Sequence, residues 1–187
     1  MVAIVSGNSL GLNLSSLATL GEQGARGSAL TGRNGEMAFV NAATGNLLLQ
    51  RQDEYLAGVG LGTNSVRTYN SQGAFNDDNG DNWSLGFYTQ QLKVTGTPGQ
   101  AGSTVSRVDR DGSSATYTYV GSGLYRTYEG SGAHDTFKYD GPAGRWIWTD
   151  GDTNATEAYE HASGRLVEVA DRLGNKQTYH YEGGLLA

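Results

Sequence analysis

The chain has 187 residues, with 29 Gly, 2 Pro, 11 Tyr, 3 Trp and no Cys, and its 13 basic and 19 acidic residues give a net charge of −6. Without cysteine there can be no disulfide, thiolate metal site or cysteine nucleophile, and no Lys/Arg cluster supplies the positive patch that nucleic acid or an anionic membrane surface requires. No apolar run approaches the roughly 20 residues of a membrane-spanning helix, and a glycine-rich, proline-poor chain with many aromatics points to short strands joined by tight turns rather than to disorder.

Residues 1–38 form a Gly/Ser/Leu-rich N-terminal segment. Its start, Met1-Val2-Ala3-Ile4-Val5, lacks a basic region and is too short for the apolar stretch of a secretion signal. Ser15-Ser16 ahead of residues 17–23, with Gly24 as a stop, suits a short helix. The alternation of Leu10, Leu12 and Leu14 suits a strand equally well. Residues 39–104 read as a second region. Residues 38–41 form a strand, Thr44-Gly45-Asn46 a turn, and residues 47–51 the start of a return strand, which together make a hairpin. Residues 66–71 are a further strand, and residues 73–82 a polar loop. Residues 83–94 suggest a strand pair with Trp83, Leu85 and Phe87 on one face. Residues 95–104 are a Gly/Thr/Ser/Pro connection.

Residues 105–187 carry an internal repeat. Tyr119, Tyr139, Tyr159 and Tyr181 are separated by 20, 20 and 22 residues, and Gly112, Gly132, Gly151 and Gly174 by 20, 19 and 23. A period of about 20 accommodates two strands and two turns. Within a unit, Tyr117 and Tyr119 share a sheet face by i, i+2 spacing, as do Phe137 and Tyr139, and Tyr179 and Tyr181. At Tyr159 the partner position is held by Glu157. Residues 145–149 and 165–169 are return strands. The predicted fold is all-β: antiparallel β-hairpins stacked as a curved sheet with an aromatic column along one face.

These residues resemble a known family. Tyr139-Asp140 followed by Gly144-Arg145, Tyr159-Glu160 followed by Gly164-Arg165-Leu166, and the turn Asp171-Arg172-Leu173-Gly174-Asn175 resemble the YD repeat of RHS proteins. Upstream, Thr44-Gly45-Asn46-Leu47, and Arg67-Thr68-Tyr69-Asn70-Ser71 followed by Trp83, resemble the strands that open many RHS cores. The motifs span residues 40–187. Tyr119 is followed by Val120, and Tyr159 and Tyr181 by Glu, so a single beat carries a literal Tyr-Asp. The resemblance implies a secreted or cell-surface bacterial protein whose repeats wrap into a hollow β shell around a toxin payload or adhesive part. Four beats cannot close such a shell, so the chain resembles its opening part, a partial shell. The family's Asp-Pro self-cleavage signature has no counterpart, because Pro98 and Pro142 follow Thr97 and Gly141. A start without a signal and an end at Leu185-Leu186-Ala187 fit a piece of a longer protein.

Several residues invite a chemical role. Tyr117, Tyr139, Trp146 and Trp148 could stack on sugar rings if they are exposed, although the repeat already explains them as a packing ladder. Asp77, Asn79 and Asp81 have the spacing of the first ligands of a calcium loop, but position six is Asn82 and position twelve is Tyr88. Asp150, Asp152 and Asn154 repeat the first half of that pattern, and solvated Asp/Asn turns are commoner than calcium loops. Glu157 and Glu160 could be imagined as glycosidase carboxylates, but the simpler reading is exposed charge near a turn. His134, His161 and His180 fall in separate units, and nothing in their spacing with Asp135 or a serine makes a triad. The expected function is a non-catalytic scaffold without a cofactor, calcium aside. The alternatives are a carbohydrate-binding or adhesive module using exposed aromatics and, less favoured, a glycan-active enzyme. The expected partners are the remainder of a longer RHS protein or its toxin payload, glycans, and a second copy added at an unpaired strand edge.

Overall fold

The computed structural model describes residues 3–5, 37–41, 45–56, 61, 63–72, 81–85, 91–108, 114–128 and 134–187. The helix or strand expected within residues 10–24, and Phe87, lie outside these. Every element among the described residues is a β-strand, and no helix among them is long and apolar enough to cross a membrane. The chain divides into two compact units.

The first unit holds a five-stranded sheet of β1 (Ala3–Val5), β2 (Met37–Asn41), β3 (Leu47–Leu56), β4 (Thr63–Asn70) and β5 (Trp83–Leu85), in that spatial order. The β1–β2 pair is parallel and the others are antiparallel. The expected hairpin is the β2–β3 pair, with Phe39 opposite Leu48. Its turn residue Asn46 is buried and ties the hairpin to the end of β4. The Asn46 side-chain oxygen accepts from Ser71 Oγ at 2.9 Å and Gln72 N at 3.0 Å, while Ser71 Oγ accepts from Leu47 N at 2.8 Å.

One expectation for this region is corrected. Among the described residues, 83–85 and 92–95 do not pair with one another: β5 joins β4, and Leu92–Thr95 belongs to the other sheet. Trp83 and Leu85 do share one face, and it is the exposed one. The alternation is present, but Ser84 is the buried residue and its neighbours are exposed. The register places Ser84 opposite Thr68, and Ser84 Oγ donates to Thr68 O at 3.4 Å. Position on the pleat decides which side chain is covered, and hydropathy alone would choose wrongly here.

The second unit holds a nine-stranded antiparallel meander: β6 (Leu92–Thr95), β7 (Thr104–Val108), β8 (Ser114–Gly121), β9 (Leu124–Arg126), β10 (Thr136–Asp140), β11 (Arg145–Thr149), β12 (Thr156–Glu160), β13 (Leu166–Ala170) and β14 (Lys176–Thr178). Each strand pairs with its neighbours in sequence, as expected of stacked hairpins. The residue pair 104–105, where the sequence reading divided the chain, lies within β7. The sheet curls into a half-barrel until Gln91, ahead of β6, bridges Arg165 at the start of the β13 ladder. Leu92 N donates to Gly164 O at 2.9 Å in the same corner. Gly164 has φ +70°, and a Cβ there would stand 2.6 Å from Leu92 O, so the corner admits only glycine.

The turn chemistry of the repeat is now explicit. In the β10–β11 turn, Asp140 Oδ1 accepts from Ala143 N at 3.1 Å. In the β12–β13 turn, Glu160 O accepts from Gly164 N at 2.8 Å, and Glu160 Oε2 accepts from Ser163 Oγ at 2.6 Å. In the turn after β13, Asp171 accepts from Leu173 N, Asn175 N and Asn175 Nδ2. These bonds, led by the one from Asn175, hold the Asp171 carboxyl below its usual range. The fourth beat departs from expectation. The sheet ends with β14 at Thr178, and Tyr181 opens a separate two-stranded hairpin of β15 (Tyr181–Glu182) and β16 (Leu185–Leu186).

Candidate functional site

The inner face of the curl is built from cross-strand rows. Tyr125, Phe137, Trp148 and Glu157 stand opposite one another in turn, as do Tyr139, Trp146, Tyr159 and Leu166. All of these are buried except half-buried Tyr139. Ring centroids lie 5.0 Å apart for Tyr125–Trp146, 4.9 Å for Tyr117–Phe137 and 4.7 Å for Tyr139–Trp146, the tilted and edge-on contacts that aromatic quadrupoles favour. Tyr125 Oη accepts from Gly99 N at 2.7 Å and lies 2.7 Å from Ser103 Oγ, which anchors the loop between β6 and β7.

Within this apolar filling sits one charged cluster. Arg107 on β7 reaches Glu157 on β12, five positions away in the sheet order. Nε and Nη2 of Arg107 each donate to Glu157 at 2.9 Å, a bidentate pair in which both side chains are 9 % exposed. Arg107 Nε also approaches Tyr159 Oη at 3.1 Å, and Tyr159 Oη donates to Glu157 Oε2. The guanidinium carbon lies 4.1 Å from the Trp148 ring centroid. Trp148 Nε1 donates to Tyr117 Oη at 3.0 Å, and Tyr117 Oη in turn lies 3.5 Å from Asp135 Oδ2. Asp135 Oδ1 accepts from Gly151 N at 2.9 Å.

The electrostatics follow from burial. Burial above all, then the Glu157 charge, pushes the Tyr159 hydroxyl well above its ordinary range. Burial pushes Tyr117 up to about 12. Asp135 is raised first by burial, with the charges of Asp150 and Asp152 adding and Gly151 N opposing. The network is a bidentate Arg107–Glu157 pair joined to Tyr159 by hydrogen bonds and to Trp148 and Tyr117 through the indole. No buried side-chain nitrogen or oxygen among the described residues lacks a hydrogen-bond partner.

Of the four aromatics singled out for sugars, Tyr117, Trp146 and Trp148 are buried at 1 %, 0 % and 8 % exposure. Their ring faces are occupied by neighbouring side chains. Tyr139 is half-buried against Trp146 and His161. Asp77 and Asn79 lie outside the described residues. Asp81 Oδ1 accepts from Trp83 N at 2.9 Å. Asp150 Oδ1 accepts from Asp152 N and Thr153 N at 2.8 Å, so that carboxylate shapes its own turn. Among the described residues no three of His, Cys, Asp and Glu are grouped to hold a metal ion.

The reading of Glu157 as exposed turn charge is corrected: it is buried and paired. Glu160, three residues on, is exposed on the other face, so the two carboxylates do not confront each other. Sequence reasoning missed Arg107 entirely. The available signal was Glu157 itself, an acid in a slot that the repeat fills with aromatics, which calls for a cation from another strand.

Residues 38–117 match a family described as a domain of unknown function (DUF6531), a span running from β2 into β8. No curated protein matches the chain.

Proposed function

We propose that the chain is a non-catalytic β-repeat scaffold, the opening part of an RHS/YD-repeat shell that encloses or displays a toxin or adhesive segment of a secreted or cell-surface bacterial protein. The observation that carries this reading is the nine-stranded curl whose inner face is filled by its own repeat side chains and riveted by Arg107 and Glu157. A buried pair between distant strands specifies how tightly a sheet curls, because slippage would leave a charge buried alone. The Asp/Glu turn caps and left-handed glycines allow the same unit to be laid down repeatedly. The net charge of −6 weighs against nucleic acid as the partner.

The test is limited proteolysis of the full-length natural gene product, with fragment masses read over time. A segment outside the repeats that is protected in the intact protein, and cut at least about tenfold faster once released, supports enclosure. Equal cutting rates, or a natural product that ends at residue 187, would overturn the shell reading. Hydrolysis of a glycan polymer that is abolished by Glu157→Gln in a still-folded protein would overturn the non-catalytic reading.

A further inference from the structure

The five-stranded sheet carries aromatic and charged side chains together on one face. Its register sets Leu49 opposite Tyr69 and Tyr69 opposite Trp83, and in the next row Arg51 opposite Arg67 and Arg67 opposite Leu85. Trp83 is 39 % exposed, and its ring lies 5.4 Å from that of Tyr69 at an interplanar angle of 51°. Leu49, Gln50, Arg51, Arg67 and Trp83 line a cavity of about 140 Å³ beside the indole.

Next to this aromatic shelf stands a fixed polar array. Arg67 Nε and Nη2 donate to Asp53 Oδ2 and Oδ1 at 2.6 and 2.8 Å, and Arg51 Nε lies 3.4 Å from Asp53 Oδ1. The bond from Arg67 holds the Asp53 carboxyl below its usual range, so the acceptor is ionised at neutral pH. A guanidinium has five N–H donors and Asp53 accepts from two of the groups that carry them. The pair thus offers donors and acceptors side by side on a partly exposed surface.

We propose that this face is a sugar-binding subsite, in which one pyranose ring lies against Trp83 with adjacent hydroxyls on Arg67 and Asp53. Three features select that chemistry. The negative face of an indole attracts the polarised C–H groups of a sugar ring. Adjacent hydroxyls both donate and accept, which matches a guanidinium beside a carboxylate. An apolar peptide or acyl chain would strip water from those charges without replacing it, and a phosphate would meet the Asp53 carboxylate. The cavity is far smaller than the roughly 300–1,000 Å³ of a drug-sized pocket, and so suits a single ring. The subsite stands whether or not the chain belongs to a shell.

The test is saturation-transfer NMR on the full chain with the methyl glycosides of glucose, galactose, N-acetylglucosamine and glucuronic acid, each at about 10 mM, a range that reports millimolar binding. Transfer to the ring C–H protons of at least one glycoside is expected. Trp83→Ala should weaken it at least about tenfold, Trp83→Phe should retain part of it, and Arg67→Lys should weaken it several-fold, because an ammonium lacks the planar fork. Thermal melts establish that each variant folds, and Trp83→Phe with Arg67→Lys carry the test if Trp83→Ala does not. No transfer from any glycoside, or transfer unchanged in the folded variants, would overturn the subsite.

Discussion

The two sheets bury opposite kinds of side chain. The nine-stranded sheet encloses Tyr117, Tyr125, Phe137, Trp146 and Tyr159. The buried side chains described in the five-stranded region are Asn46, Leu48, Thr68, Asn70 and Ser84, while its aromatic pair Tyr69–Trp83 lies on the accessible face. Both sheets alternate along their strands with period two. In the repeat, successive units keep the aromatic face aligned, so the large rings converge inside the curl. In the five-stranded sheet no repeat imposes that alignment. Its covered face is held by polar side chains that hydrogen-bond backbone and turns, as Asn46 and Ser84 do.

The comparison breaks most visibly at Trp146. Trp146→Ala removes a fully buried indole touching several rings and should destabilise the second unit by about 4 kcal/mol. That corresponds to a fall of roughly 20 °C in the Tm of that unit, read by near-UV circular dichroism. A fall below about 2 °C would mean that the ring column is not the core.

The Arg107–Glu157 pair comes next. Arg107→Met alone should destabilise by about 3 kcal/mol because it leaves Glu157 buried without its cation. Arg107→Met combined with Glu157→Leu should cost less in denaturant unfolding than the sum of the two single changes, the remaining loss being the buried Tyr159 hydroxyl left without its acceptor. Simple additivity of the two single changes would show that the pair does not act as one rivet.

Alkaline titration probes the same interior. Tyr117 is raised to about 12 in the folded chain, against about 10 when unfolded. Between those values the folded state retains a proton that the unfolded state has lost. Stability is therefore unaffected by this group below pH 10 and falls as pH rises towards 12. Its share is on the order of 2–3 kcal/mol across the window. Tyr117→Phe should flatten the slope of unfolding free energy against pH, and an unchanged slope would contradict burial of that hydroxyl as its cause.

The smallest effect sharpens the contrast. Trp83→Ala, the same chemical change as Trp146→Ala but at the accessible face, should destabilise by about 1 kcal/mol or less. Near-equal losses for the two tryptophans would erase the distinction between the sheets.

Much of this architecture was legible in the chain. The Tyr-acid…Gly-Arg pattern located the turns, because an acid that accepts backbone N–H groups and a glycine with positive φ are local requirements. Strands β10–β13 follow from it almost residue by residue. The opening hairpin was legible for the same reason, from Gly45-Asn46 between apolar runs. Less legible were contacts between distant residues. Arg107 and Glu157 are 50 positions apart, and no period links them. The placement of residues 83–85 and 92–95 in two different sheets was hidden because strands of separate sheets have the same alternating pattern. The end of the repeat was hidden too, since Tyr181 keeps the beat while its backbone leaves the ladder.

By itself the sequence determined the all-β class, the repeat unit and its turns, since these rest on backbone dihedrals, local capping and period-two alternation. The tertiary structure alone decided which aromatics are interior and which are accessible. It buried the column first considered for sugars, left Trp83 at the surface, and turned an acid that had looked exposed into one half of a buried pair. The physical reason is that burial depends on sheet curvature and on partners far away in the chain, and a strand's own residues do not encode either.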